Sequence, residues 1–417
     1  MTAATRSFGM RLGGVCLAAV TLLTFTGSPQ AANSLPGLRA TAAESSDATL
    51  GYRADGRADG YAAEATAAPP FRKLWSRDFG AAVSAPVAIG DKVYAVVNAD
   101  DGTEGGPRMV LVGLRAATGK NLWPPVTVTD NEPDASVTYG GGLLYTQTSR
   151  GTIAAWDPAT GRKKWSVRLE GASVQYPVAW YGGMLYLQDG VGNALALRAT
   201  TGARVWTAPL SEYGWSPTVV DSTGVWIGFD DIAWHHLDLR TGAELHRFEV
   251  PDIWGAYGNP VALGAGAVWV RGGKSSDPTV TAYDRKTGAA VRTLPADATP
   301  AFGPGRVYVA HQGKVRALST STYKAAWTYT SSVGAATVRL VANGHVYVQD
   351  ADGRLVVLDD RTGKAVWSYR LHPAPHPQTR IVAEDDWRGF VPPGIATARG
   401  RLFVPGAEGT LIGFGKG

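Results

Sequence analysis

The chain of 417 residues carries a single cysteine, Cys16. With one sulfur there is no internal disulfide in any compartment, and zinc held through paired thiolates is excluded. Charge is scarce too: Asp, Glu, Lys and Arg make up 18% of the chain, and the net charge is only +5. The Lys and Arg residues are scattered. No basic run interleaves with aromatics, so the footprint of a nucleic-acid surface is missing. A strict Gly-X-Y period is absent, which removes collagen. No glycine-rich phosphate loop and no G-x-S-x-G elbow occurs, so neither phosphate binding nor serine-hydrolase chemistry has a motif to rest on.

What is abundant is glycine, with 52 residues, alongside 25 Pro and 14 Trp in a chain that is 45% hydrophobic. That balance is too apolar for a disordered chain and too rich in turn formers for a helical bundle. It implies a large, turn-rich, all-β protein with a sizeable core.

Residues 1–32 read as an export signal. Arg6 and Arg11 supply the positive start, Met10 to Phe25 is an apolar stretch, and Ala31 and Ala32 offer small residues near a cleavage point. The stretch is short for a membrane span, although retention as an anchor stays open beside cleavage. Cys16 precedes the main apolar run and does not match a lipoprotein acylation site. Residues 33–70 are Ala-, Gly- and Asp-rich, with an internal echo in RADGRADGYAAEA. They show almost no apolar periodicity and are expected to form a disordered tether.

From Phe71 onward the sequence is periodic. One string recurs as LRAATGKNLW from Leu114, AWDPATGRKKW from Ala155, ALRATTGARVW from Ala196 and HLDLRTGAELH from His236. It continues as AYDRKTGAAVR from Ala282, ALSTSTYKAAW from Ala317 and VLDDRTGKAVW from Val357. The turn glycines are Gly119, Gly161, Gly202, Gly242, Gly288 and Gly363, with Tyr323 in the sixth place. A second string, an apolar strand, a Gly turn and alternating apolar residues, occurs eight times, from APVAIGDKVYAV at Ala85 to PGIATARGRLFV at Pro393. Each unit of about 43 residues therefore holds four short antiparallel strands joined by tight turns. A four-stranded unit cannot cover its own faces, but a ring of eight can. The fold expected over residues 71–417 is an all-β, eight-bladed propeller of four-stranded antiparallel blades. The last unit is one strand short, and FRKLWSRDF around Trp75 resembles the missing outer strand. The strand at Trp75 is thus expected to pair beside Thr410 to Phe414, closing the ring without an open edge.

The string A-x-D-x-x-T-G-x-x-x-W resembles the tryptophan-docking repeat of the PQQ-type β-propeller superfamily, and the resemblance spans residues 71–417. It implies that Trp75, Trp123, Trp165, Trp206, Trp327 and Trp367 dock between neighbouring blades. His246 and Arg292 depart from the pattern, so weaker contacts are expected there. The superfamily includes quinoprotein alcohol dehydrogenases, an envelope assembly lipoprotein and exported proteins of other kinds. Its enzymes stack the quinone PQQ against a disulfide of adjacent cysteines beside a calcium ion. One cysteine cannot form that wall.

The favoured function is an exported scaffold that binds a small ligand or a protein, without catalytic residues, cofactor or metal. A PQQ- and calcium-dependent oxidoreductase and an envelope protein-assembly subunit are the alternatives. Any ligand would meet the funnel where the loops entering the inner strands gather. There, in blades three to five, Tyr176, Tyr213, Trp215, Trp254 and Tyr257 offer aromatic faces. Asp189, Asp230, Asp231 and Asn259 offer polar ends. Ordinary loop packing competes with that assignment. Asp100, Asp101 and Glu104 lack calcium-loop spacing and read as a solvated hairpin. His372 and His376 stand four apart, but the intervening prolines forbid a helix, so this long insertion, which also holds Glu384, Asp385 and Asp386, reads as a lid or partner contact.

Overall fold

The computed structural model describes residues 47–416, except 81, 100–107, 131, 133–134, 170–176, 211–216, 229–232, 250–260, 275, 372–393 and 407–408. These residues fall within one compact unit, 38–417. Eight sheets form, each with four antiparallel strands; in seven the strands are in consecutive order, and one of these gains a fifth short strand. The innermost strands are Val87–Ile89, Ala135–Gly140, Ala179–Tyr181 and Val219–Asp221 in blades 1 to 4. In blades 5 to 8 they are Val261–Gly264, Ala301–Gly303, Ala336–Ala342 and Ala396–Ala398. The middle two strands of most blades are largely buried, as in Met184–Gln188 and Arg354–Asp359, because a blade is packed on both faces by its neighbours. The outermost strands alternate exposure, as in Ala365–Arg370, because they form the rim.

The ring closes as the repeats imply. Phe71–Asp78 pairs antiparallel with Thr410–Lys416, setting Trp75 opposite Gly413 and Asp78 opposite Thr410. Blade 8 therefore takes its outer strand from the start of the propeller and its other three from the end. No sheet edge is left open where the chain ends meet.

Each seam repeats one contact. The indole Nε1 of Trp75 donates to the Ala116 carbonyl at 2.8 Å, in the turn of the next blade. Trp123 does the same to Pro158 at 3.2 Å, Trp165 to Ala199 and Trp206 to Leu239 at 3.1 Å, and Trp327 to Asp360 at 2.6 Å. The eighth blade has a chain break in place of a Thr-Gly turn, and Trp367 donates instead to the Phe71 carbonyl at 3.0 Å. Gly119 shows why the turn needs glycine. Its φ is +66°, and a Cβ built there would stand 2.7 Å from the Trp75 ring.

The two departures from the pattern are filled in different ways. Where His246 stands, Phe248 presses on Gly288 and stacks on Tyr283, with ring centroids 5.4 Å apart. Where Arg292 stands, its guanidinium lies 5.0 Å above the ring of Tyr323. Tyr323 is the residue that replaces the turn glycine, and it keeps the left-handed conformation at φ 55°. The two sequence irregularities thus meet at one seam as a cation–π pair.

The expected tether is not one over residues 47–70. This stretch lies against the inner strands, and Tyr61–Ala62 adds a parallel strand to the inner edge of blade 7. Tyr52, Ala54, Ala58, Asp59, Ala62 and Ala67 are buried. Apolar periodicity misses this because main-chain hydrogen bonds, rather than a hydrophobic face, hold the segment in place. Residues 33–46 lie outside the described residues. No helix among the described residues is long and apolar enough to cross a membrane.

Candidate functional site at the central channel

The inner strand of every blade presents one equivalent residue, paired with the residue five positions later across the first hairpin. These residues are Ala88, Tyr139, Trp180, Val220, Leu263, Phe302, Val341 and Thr397. Each has its amide on the free, inner edge of its sheet, where a buried N–H must find an acceptor. Residues 49–60 supply acceptors in order around the ring. Thr49 O receives Ala88 N at 2.8 Å, and Leu50 O receives Tyr139 N at 2.7 Å. Gly56 O receives Val220 N, Arg57 O receives Leu263 N, Asp59 O receives Phe302 N and Gly60 O receives Val341 N, all within 2.7 to 3.0 Å. The Thr49 hydroxyl receives Thr397 N at 2.9 Å, joining blade 8 to blade 1.

All these contacts fall in the last residues before the first hairpin turn. They therefore lie at the channel end that carries the Thr-Gly turns, opposite the funnel. The RADG echo is the device that makes the circuit. In each copy an Asp side chain accepts the amide two residues on, Asp55 from Arg57 at 2.8 Å and Asp59 from Tyr61 at 2.9 Å. In each copy the Gly carbonyl then serves a blade. Arg53 is buried and satisfied by main chain, with Nε on Ala58 O at 2.9 Å and Nη1 on Thr299 O at 3.2 Å. Arg57 lies between Asp55 at 2.9 Å and Asp59 at 3.3 Å. Burial pushes the Asp59 carboxyl up to about 7, helped by the like charge of Asp55 and opposed by Arg57. Desolvation outweighs the ion pair there because Asp59 is 3% exposed.

At the funnel end the described residues include one of the nine funnel candidates. Asp189 is buried, and its carboxylate accepts the amides of Val191 at 3.1 Å and Asn193 at 2.9 Å and the Asn193 side-chain amide at 2.8 Å. It shapes its own hairpin, the role for which a short carboxylate is suited. Tyr176, Tyr213, Trp215, Asp230, Asp231, Trp254, Tyr257 and Asn259 lie outside the described residues. So do Asp100, Asp101, Glu104, His372, His376, Glu384, Asp385 and Asp386.

The structure adds buried polar residues at this end that composition and loop reading did not single out. Gln147, Thr148 and Gln188 end the second strands of blades 2 and 3, and Gln349 and Asp350 end that of blade 7. Arg339 Nε donates to Gln349 Oε1 at 3.0 Å, and the Tyr329 hydroxyl donates to Asp350 Oδ2 at 3.4 Å. Burial holds the Asp350 carboxyl above the ordinary carboxylate range. The signal available in the sequence was a polar residue recurring at the end of an otherwise apolar second strand.

His236 stacks on Trp226 at 3.8 Å and bonds to the Thr223 carbonyl, and His246 is its cross-strand partner. Among the described residues no third donor joins them. Among the described residues no group of three His, Cys, Asp or Glu could hold a metal ion.

A family model described as outer membrane protein assembly factor BamB matches residues 108–253 and 276–388. Among solved structures, BamB from Moraxella catarrhalis superposes with a TM-score of 0.55 at 19% identity, over 83% of this chain and 98% of that one. A computationally designed protein, Ika8, gives 0.58 at 16% identity, over 82% and 99%. A quinohemoprotein alcohol dehydrogenase from Comamonas testosteroni gives 0.58 at 14% identity, over 89% and 81%. At these identities the likeness is one of fold. No curated protein matches the sequence.

Proposed function

Since the chain belongs to the PQQ-repeat family whose model is described as outer membrane protein assembly factor BamB, we propose that it is an exported scaffold binding a small ligand or a protein at the funnel end of its channel. The observation that carries this reading is the laid-in segment 49–62. It occupies the opposite end of the channel with the chain's own backbone, which leaves the funnel as the end from which a partner approaches. Buried polar side chains near that end, Gln188, Gln349 and Asp350 among them, can set orientation for a bound group. Export rests on the signal-like residues 1–32.

The oxidoreductase alternative meets a poor donor set. The sole cysteine is Cys16, so no disulfide of adjacent cysteines can wall a quinone. No cation-holding group of three occurs among the described residues. Assembly of envelope proteins is favoured over it by the family description, and is one form of the scaffold role.

Two measurements test the reading. Titration with PQQ and Ca²⁺, followed by absorbance and by a dye-linked alcohol assay, is expected to show no turnover; turnover would overturn the scaffold assignment. Capture of a partner from envelope extract is expected to fall at least tenfold in W215A and W254A. Capture unchanged in both would take those residues out of the binding face.

A further inference from the structure

The N-terminal segment satisfies the inner-edge amides of seven blades and passes over that of blade 3. At blade 3 the equivalent residue is Trp180, opposite Leu185 in the same register as its seven counterparts. Leu50 serves blade 2 and Gly56 serves blade 4. Between them the chain makes a small loop, closed by Leu50 N and Gly51 N on Ala54 O at 2.8 and 3.3 Å. Gly56 comes close, since a Cβ on it would stand 3.1 Å from the Trp180 carbonyl, but its own carbonyl is taken by Val220. Among the described residues no acceptor meets the Trp180 amide, and its buried indole N–H is unpaired as well.

The loop leaves a cavity of about 200 Å³ between the segment and blades 2 to 4. Its walls include Tyr52, Tyr139, Trp180, Tyr181 and Val220, with Thr218 beside them. Its charged residues are already paired. Asp55 holds Arg57 at 2.9 Å, and Asp221 is held by Arg285 at 2.5 Å and by Thr223. What remains is a half-open, mainly aromatic and aliphatic pocket whose polar groups include the unpaired amide of Trp180, the Thr218 hydroxyl and the hydroxyls of the wall tyrosines. A charged ligand would find no free counter-ion there and would give up part of its hydration. Apolar cavities of about 150 Å³ accept a benzene ring, so this one has room for a single ring and a small substituent.

We propose that this cavity is a binding site for an uncharged, one-ring molecule bearing a carbonyl-type acceptor, which takes the amide hydrogen of Trp180. The site lies at the channel end opposite the funnel and does not depend on the function proposed above.

The test uses the full chain, ¹⁵N-labelled, titrated separately with benzamide, toluene and benzoate. Benzamide is expected to shift the Trp180 amide resonance saturably. It should bind about tenfold more tightly than toluene, the value of one hydrogen bond of ordinary strength, and more tightly than benzoate. Gly51→Leu places a side chain in the cavity from the segment, where a Cβ would be 3.6 Å from Thr138, an ordinary contact. It should abolish the saturable shift while the Val220 and Leu263 amide resonances stay in place. Thr218→Val, nearly isosteric, should weaken benzamide a fewfold and is the second variant should Gly51→Leu not fold. Absence of a saturable shift at Trp180, equal affinity for toluene and benzamide, or unchanged binding in both variants would overturn the proposal.

Discussion

At the seams between blades, a missing side chain and a large one are matched residue by residue. Gly242 lies with φ +71°, and a Cβ there would stand 2.5 Å from the Trp206 ring, whose Nε1 holds the Leu239 carbonyl. Trp206→Ala removes both the buried ring and the bond. It should cost about 3–5 kcal/mol in chemical denaturation, the range for emptying a large aromatic site. Gly242→Ala should destabilise too, through the left-handed backbone and the displaced ring. By contrast Arg292→Ala should cost about 1 kcal/mol, because a partly exposed cation–π contact is all it removes. Asp59 sets a pH dependence at the same scale. Its folded value, about 7, stands above the 3.8 of the free side chain. Its contribution to stability is therefore fully present below about pH 4 and is lost as pH rises through 7. Melting temperature should fall between pH 5 and pH 8 in the wild type, and Asp59→Asn should flatten that slope. An equal slope in both would remove Asp59 as the cause.

Strands and turns were legible because each carries a local signal. The Thr-Gly string marks the turn between the third and outer strands, and alternating apolar residues mark the rest, as in Asn193–Arg198 against Arg204–Pro209. The segment from Thr49 to Ala67 carries no such signal. Its order comes from inner-edge amides 39 to 348 residues away in sequence, such as Ala88 and Thr397, and a scan for apolar periodicity is blind to these. The one trace was the RADG echo, whose four-residue step sets the equivalent carbonyls of Gly56 and Gly60 on blades 4 and 7. Deleting residues 1–67 should leave the blades folded, since their core is built from their own strands, but lower the melting temperature. An unchanged melting temperature would mean the segment contributes nothing to the ring. Phe71–Asp78 differs in kind, because it completes a blade; deletion through residue 79 should leave an open edge on blade 8 and promote aggregation.

For the whole molecule, eight repeats and a missing outer strand were enough to define a closed ring, because closure is counted rather than contacted. The binding face was harder to read. Of the funnel residues, Asp189 proves to be the cap of its own hairpin, while the polar strand ends at Gln188, Gln349 and Asp350 gave no motif. The Trp180 gap was invisible for a different reason: it is defined by where the segment fails to bond. Amide hydrogen exchange measures that circuit directly. In the full chain the amides of Ala88, Tyr139, Val220, Leu263, Phe302, Val341 and Thr397 should exchange slowly, with Trp180 markedly faster than all seven. In the chain lacking residues 1–67 all eight should exchange fast. Equal exchange of the eight amides in the full chain, or protection that survives the deletion, would contradict a channel closed at one end by its own N-terminal segment.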